Sequence, residues 1–296
     1  AVARSANSNV QFMTWALDNR SITLVSQNSS QNGDQIFGAA ALTLPSLIPG
    51  YVWAAPSGQR ILAASPDGTT LAVLSSDEGK VDLIDGTSGS SLREITPGFL
   101  VQQGTFSPDG KTLALTGQAG WTVKLFTVEN GEEKATLTGF ETAAPVFDAG
   151  FAGSNQWIVW HSRSKLQVQN VDTGVLGKEF NHEDFVNSFT LSADGKTLAS
   201  SIFMTKIFLW NVETGELKRT LAVDSSGTAL SFSPDGSLLA TAGGNVIQVL
   251  DLANDEVLTT LTDAPSPVYL LAFSPDGRML ASSGNDNQLI LWAVRK

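Results

Sequence analysis

The chain repeats one short turn sequence, and this repetition constrains its fold more than any other feature. Ser-Pro-Asp-Gly occurs at 65–68, 107–110, 233–236 and 274–277, and Ser-Ala-Asp-Gly occurs at 192–195. The five serines are separated by 42, 85, 41 and 41 residues, and 85 is close to two periods. Proline fixes φ in such a turn, aspartate suits the third position, and glycine closes it without steric penalty. The regular spacing predicts a repeat architecture.

Two weaker copies complete the series. The segment "AGFAGSNQWIV" (149–159) fills the long gap, with Ala152 at the position of the serine. The segment "MTWALDNRSITLV" (13–25) precedes the first turn, with Ala16 at that position. The positions equivalent to the serine, called anchors below, are 16, 65, 107, 152, 192, 233 and 274. Seven copies therefore account for the chain.

Each copy has the same internal order of strands and turns. In one copy, an alternating strand (228–232) enters the turn, and a second strand (237–242) and a third (246–252) follow. A second turn also recurs, as in "VENGE" (128–132) and "VETGE" (212–216), and a short fourth strand follows it. Four short antiparallel strands in each period are typical of a propeller blade.

The pattern thus predicts an all-β fold, a seven-bladed β-propeller of four-stranded antiparallel blades, forming one closed domain over residues 1–296. The last copy ends at its third strand, "LILWAVRK" (289–296). By register, residues 1–5 supply the missing fourth strand and pair with 288–293. This pairing would remove an exposed sheet edge.

Residues 181–216 resemble a WD repeat, a family marked by a Gly-His pair, an SPDG-like turn and a closing Trp-Asp. His182 lies ten residues before the anchor Ser192, and Asn211 replaces the closing aspartate. The resemblance implies a divergent, prokaryotic member of this family with a non-catalytic role in protein–protein interaction. It assigns structural hydrogen-bonding roles to His182, Ser200, Trp210, Asp286 and Trp292.

The chain departs from the family at the buried Asp–His–Ser/Thr–Trp network, which no copy completes. Met204 replaces the aspartate beside His182, and Ala264 replaces the histidine that would pair with Asp286. We therefore expect apolar packing to hold the blades together.

Composition excludes several classes of function. The chain has 18 Lys and Arg against 29 Asp and Glu. The resulting net charge of −11 disfavours binding to nucleic acids and to anionic membrane surfaces. It has no cysteine, and therefore no disulfide or thiolate. The uncharged stretch 35–59 contains Pro45, Pro49 and Gly50, so it predicts strand, loop and strand without membrane insertion. Low basicity and absent cysteine favour an exported or periplasmic prokaryotic protein, with a cytoplasmic location left open.

The sequence predicts no catalytic residue, metal or cofactor. It lacks G-x-S-x-G and H-E-x-x-H, and its "GKT" segments lack the earlier glycine of a phosphate loop. An axial active site built from Arg60, Tyr269, His161 and Arg163 stays open as an alternative.

We expect a monomeric scaffold that binds a protein or peptide through the loop face, defined as the end of the blades opposite the SPDG turns. Large side chains gather there in three consecutive copies. The predicted partner-binding residues are Phe99, Leu100, Trp121, Phe140, His161, Arg163, Phe185, Phe203 and Met204. In the alternative, Phe140, Phe203 and Met204 belong to the core. The alternative function for the whole chain is a ligand-sensing or structural module of a larger polypeptide.

The spacing of the first two anchors, 49 residues, exceeds the usual 41. It predicts about eight extra residues around Ala41–Gly50, forming a surface loop or extended connection.

Overall fold

A computed structural model describes residues 2–4, 8–29, 35–44, 48–56, 58–75, 79–117, 122–137, 148–151, 157–162, 164–202, 206–223, 227, 229–284, 286 and 288–294. These residues form antiparallel strands and turns without any helix, which confirms the all-β class.

The first strands in chain order are β1 (Val2–Arg4), β2 (Ser8–Trp15), β3 (Ser21–Ser29), β4 (Gln35–Thr43), β5 (Ile48–Ala54), β6 (Arg60–Ala64), β7 (Thr70–Leu74), β8 (Val81–Asp85), β9 (Ser91–Ile95), β10 (Val101–Phe106), β11 (Thr112–Gly117), β12 (Val123–Thr127), β13 (Glu133–Leu137) and β14 (Asp148–Phe151). The remaining strands are β15 (Trp157–Ser162), β16 (Lys165–Asn170), β17 (Leu176–Asn181), β18 (Val186–Leu191), β19 (Thr197–Ile202), β20 (Lys206–Asn211), β21 (Leu217–Ala222), β22 (Ala229–Phe232), β23 (Leu238–Gly243), β24 (Val246–Asp251), β25 (Glu256–Leu261), β26 (Val268–Phe273), β27 (Met279–Gly284) and β28 (Gln288–Ala293).

Within the described residues, the strands form seven four-stranded sheets. Sheets 1 to 6 take consecutive strands from β2 to β25, four to a sheet. Sheet 7 has the order β1-β28-β27-β26, so its fourth strand comes from the other end of the chain. In that sheet Val2 pairs with Ile290 and Arg4 with Gln288, antiparallel.

The repeated turn joins the first and second strands of a sheet. In sheet 5, the Ser192 hydroxyl donates to Oδ1 of Asp194 at 2.6 Å and accepts the backbone N–H of Thr197 at 2.9 Å. Gly195 closes this turn at a φ of 69°, which favours glycine. Equivalent pairs of bonds recur at Ser65, Ser107, Ser233 and Ser274. Because all five serines are buried, the turn is a structural device.

The core lies between neighbouring sheets. One cluster joins Leu83 and Ile95 of sheet 2 to Phe106 and Leu113 of sheet 3. Another joins residues of sheet 1 to Ala281 and Leu289 of sheet 7. There the indole Nε1 of Trp15 donates to the carbonyl of Ala272 at 3.0 Å. Burial of apolar area between sheets is therefore the main stabilising contribution.

The prediction of a loop around Ala41–Gly50 is wrong. Residues 35–43 and 48–54 are strands, and Ala41 and Leu42 are buried. The extra residues instead lengthen the β3–β4 hairpin, which continues beyond the pair Val25↔Ala39 to Ser29↔Gln35. In sheet 3 the equivalent hairpin ends at the pair Thr116↔Val123.

Candidate functional site

Two large apolar side chains stand at equivalent positions on the loop face. Leu100 and Phe185 each lie seven residues before an anchor, Ser107 and Ser192 respectively. Their exposed fractions are 69% and 53%. Each directly precedes a first strand, β10 or β18, whose far end leads into the SPDG turn. We call Leu100 and Phe185 the rim pair.

Phe99, which precedes Leu100, is half-buried and packs against the core cluster of sheets 2 and 3. Its ring lies over Gly117: a methyl group added there would lie 2.1 Å from Cδ2 of Phe99. Phe99 therefore supports the position of Leu100, and a glycine at 117 is required for this packing.

The other predicted partner-binding residues are only partly covered by the structure. His161 belongs to β15, where it pairs with Asp148 and Leu166, but its side chain is not among those described. Outside the described residues lie Trp121, Phe140, Arg163, Phe203 and Met204.

His182 is part of a chain of hydrogen bonds inside sheet 5. Its Nε2 lies 2.7 Å from Oγ of Ser200, and its Nδ1 lies 3.3 Å from the carbonyl oxygen of Ser164. The indole Nε1 of Trp210 donates to the same Oγ at 2.9 Å. With a proton on Nδ1, His182 donates to Ser164 and accepts from Ser200, so every donor in the chain has one acceptor.

Burial lowers the pKa of the His182 imidazole below its ordinary value of 6.5, while hydrogen bonds to the backbone of Ser164 and Phe180 oppose this shift. A second proton on Nε2 would also meet the hydroxyl proton of Ser200. The neutral imidazole is therefore the form that fits, and its role is structural.

Sheet 7 contains a shorter version of this arrangement. Trp292 Nε1 donates to Oγ of Ser282 at 2.8 Å, but the buried Ala264 stands where the family has histidine. The backbone N–H of Asp286 donates to Oγ of Ser266 at 3.1 Å. Oδ2 of Asp286 is buried and, among the described residues, accepts no hydrogen bond.

Of the candidates for an axial active site, the structure describes the side chains of Arg60 and Tyr269, and these two do not line one cavity. Arg60 lines a cavity of about 520 Å³ between the first strands of several sheets. Tyr269 lies in β26 with its side chain 47% exposed and does not line that cavity. In the part of the chain that the structure describes, no three His, Asp or Glu side chains are grouped to hold a metal ion.

Sequence reasoning missed exposed apolar residues elsewhere. Leu17 is 63% exposed and stands directly after the anchor Ala16, where four other copies have proline. Leucine in place of proline at this position is visible in the sequence and could have indicated an exposed apolar residue. Val257 and Leu258 are exposed on β25, the fourth strand of sheet 6, where no motif distinguishes them.

No helix among the described residues is long and apolar enough to cross a membrane. The uncharged stretch at 35–59 instead contributes β4 and β5 to sheet 1.

Two segments match a family model, that of the WD domain, G-beta repeat, at residues 215–251 and 255–293. Each match runs from the fourth strand of one sheet to the third strand of the next, β21 to β24 and β25 to β28. No curated protein matches the chain. Repeats of this family generally mediate protein–protein interaction. The two matched segments, together with the His182–Ser200–Trp210 arrangement, support a WD-repeat family for these repeats.

Proposed function

We propose that residues 1–296 form one closed seven-bladed propeller, in which each of the seven sheets is a blade. The support is the packing of sheet 1 against sheet 7 and the pairing of β1 with β28. A blade cannot bury both of its faces alone, and closure covers them all. The loops would then be held in fixed positions on two ends of a rigid body.

We further propose that this domain is a non-catalytic scaffold that binds a protein or peptide through its loop face. The observation that carries the proposal is the rim pair, Leu100 and Phe185, which expose large apolar side chains at the same register on that face. Large apolar side chains at the centre of an interface commonly contribute much of its binding energy. Phe99, which precedes Leu100, and His161, in sheet 4, remain proposed contributors to this binding face.

Two kinds of side chain that could take part in catalysis, an imidazole and the turn carboxylates, have structural roles instead. The described imidazole, that of His182, is held in a structural chain of hydrogen bonds with a lowered pKa. The aspartates of the SPDG turns accept hydrogen bonds from serine hydroxyls, and they lie at the other end of the sheets. Neither group is placed to act on a substrate at the loop face.

The test compares two double variants in co-purification from the native source. The double variant Leu100→Ser with Phe185→Ser should recover at least about tenfold less partner, since both residues of the rim pair are replaced. Leu17→Ser with Leu258→Ser is the matched control, because it removes two equally exposed residues away from the loop face. Equal recovery with both double variants would refute the proposed face.

A further inference from the structure

The first strands of the sheets share an irregularity near the loop face. Five of them have a residue that interrupts the pairing with the second strand. In four of these the interruption has the same register, between Val10 and Phe12, Val101 and Gln103, Val186 and Ser188, and Val268 and Leu270. The extra residues are Gln11, Gln102, Asn187 and Tyr269, each five residues before its anchor. A β-bulge turns a side chain away from the regular alternation and is common beside binding sites.

In sheet 2 the residue five positions before the anchor is Arg60, the first residue of β6, which pairs regularly with Leu74; the extra residue of that strand is Leu62. Arg60, Gln11 and Gln102 all line the cavity of about 520 Å³. That volume is within the usual range of small-molecule sites. Three neighbouring sheets therefore each contribute a polar side chain, one guanidinium and two amides in all, to the lining of one cavity.

Arg60 is held by a contact with the next sheet. Its Nη2 donates to the backbone carbonyl of Gln102 in the next sheet. Among the described side chains, no carboxylate forms an ion pair with it. A guanidinium has five N–H donors, and among the described residues one of them has a protein acceptor. Burial also lowers the pKa of Arg60 below its ordinary value, as expected of a cation whose desolvation is not offset by a protein anion.

The rest of the lining selects the kind of anion. Thr14 and Thr105 add neutral polar groups, while Phe12, Leu62 and Phe106 add apolar surface. Arg60 is the single cation in the seven first strands, so a multiply charged phosphate would find one counter-charge in an acidic protein. A planar carboxylate matches one guanidinium fork, and its apolar portion would match the aromatic and aliphatic wall.

We propose that this cavity binds an organic carboxylate with an apolar body, with Arg60 pairing with the carboxylate and Gln11 and Gln102 flanking it. The group is either a free small organic acid or the C-terminal carboxylate of a peptide. The site is separate from the rim pair, so its failure would leave the proposed partner face untouched.

The experiment is calorimetric titration of the full chain with two pairs of probes. The first pair is hexanoate and hexanamide, and the second is a hexapeptide ending in a free leucine carboxylate and its C-terminal amide. At least one carboxylate should bind, and its amide should bind at least about tenfold more weakly. Binding of hexanoate alone assigns the site to a free acid, and binding of the peptide alone assigns it to a chain terminus.

Arg60→Gln should weaken the binding of the carboxylate at least about tenfold, and Arg60→Lys should retain part of it, since charge remains without the fork. Arg93→Gln is the matched control, because Nη2 of Arg93 likewise donates to a backbone carbonyl of the next sheet, that of Glu129, at 2.7 Å. It should leave binding unchanged. Asp148, the single carboxylate of the first strands, gives a second control, Asp148→Asn, which should not weaken binding.

Circular dichroism melting would verify that each variant folds. If Arg60→Gln does not fold, Arg60→Lys replaces it in the binding test. The proposal is overturned if neither carboxylate binds, if the amides bind equally well, or if the folded Arg60 variant binds the carboxylate as tightly as the unchanged protein.

Discussion

Oγ of Ser200 lies between two ring nitrogens, 2.7 Å from Nε2 of His182 and 2.9 Å from Nε1 of Trp210. In sheet 7 the equivalent hydroxyl, that of Ser282, has the tryptophan partner, Trp292, and an alanine in place of the histidine. The chain thus contains the same serine in a longer and a shorter hydrogen-bond arrangement.

This pair gives an internal comparison for stability. Ser200→Ala should lower the free energy of unfolding by about 1–3 kcal/mol, since two buried groups lose their partner. Ser282→Ala should lower it by only about 0.5–1.5 kcal/mol. Urea denaturation of the two variants measures both values. A larger effect at Ser282 would contradict the structural role given to the histidine.

The lowered pKa of His182 predicts a dependence of stability on pH. The unfolded chain takes up the proton first as pH falls, because its imidazole has the higher, ordinary pKa of 6.5. The contribution of His182 is therefore fully present above pH 6.5 and is lost as pH falls towards its lower folded-state pKa. Urea midpoints should decline less steeply in His182→Gln over this range, and parallel declines would count against the prediction.

The carboxylates act in a separate pH range. The Ser192 hydroxyl and the backbone N–H of Lys196 lower the pKa of Asp194 below its ordinary 3.8. Its stabilising contribution is present above that pH and is lost as pH falls through the folded-state pKa. The histidine and aspartate effects can thus be measured independently.

Gly117 should be intolerant of a side chain. A methyl group there would lie 2.1 Å from the Phe99 ring and 2.3 Å from the carbonyl oxygen of Leu100, so Gly117→Ala must displace both residues. We expect a loss of about 1–3 kcal/mol, as for overpacking. Gly150→Ala is the control, because its nearest contact would be 3.5 Å away, at Phe189. Equal thermal midpoints for the two variants would show that Phe99 is not fixed in this way.

Deletion of residues 1–4 should lower the melting temperature by several degrees. The deletion removes β1 and leaves β28 as an unpaired edge strand. Calorimetry of the truncated chain measures this effect. An unchanged midpoint would mean that the β1–β28 pairing contributes nothing to stability.

Much of the strand order follows from the sequence, because the anchors fix the turn in each copy. The serine at 192, for example, specifies both the turn to Asp194 and the start of β19 through Thr197. The length of the β3–β4 hairpin does not follow, since polar residues such as Ser26 and Gln27 resemble a loop and nonetheless pair with Gly38 and Phe37.

The candidate site is predictable only in part. Leu100 and Phe185 are visible in the sequence because their position relative to the anchors places them just before a strand. The position of Gln11 and Gln102 at bulges is not visible, because a bulge depends on the register between strands, and sequence spacing alone does not set it.

The most direct measurement of the proposed loop-face function is photo-crosslinking from single positions. A benzophenone side chain at Phe185 or Leu100 should capture a protein or peptide partner, and the same partner should be absent when the probe replaces Leu17 on the SPDG side. Mass spectrometry would identify the captured chain. Capture from Leu17 without capture from Phe185 or Leu100 would contradict the account.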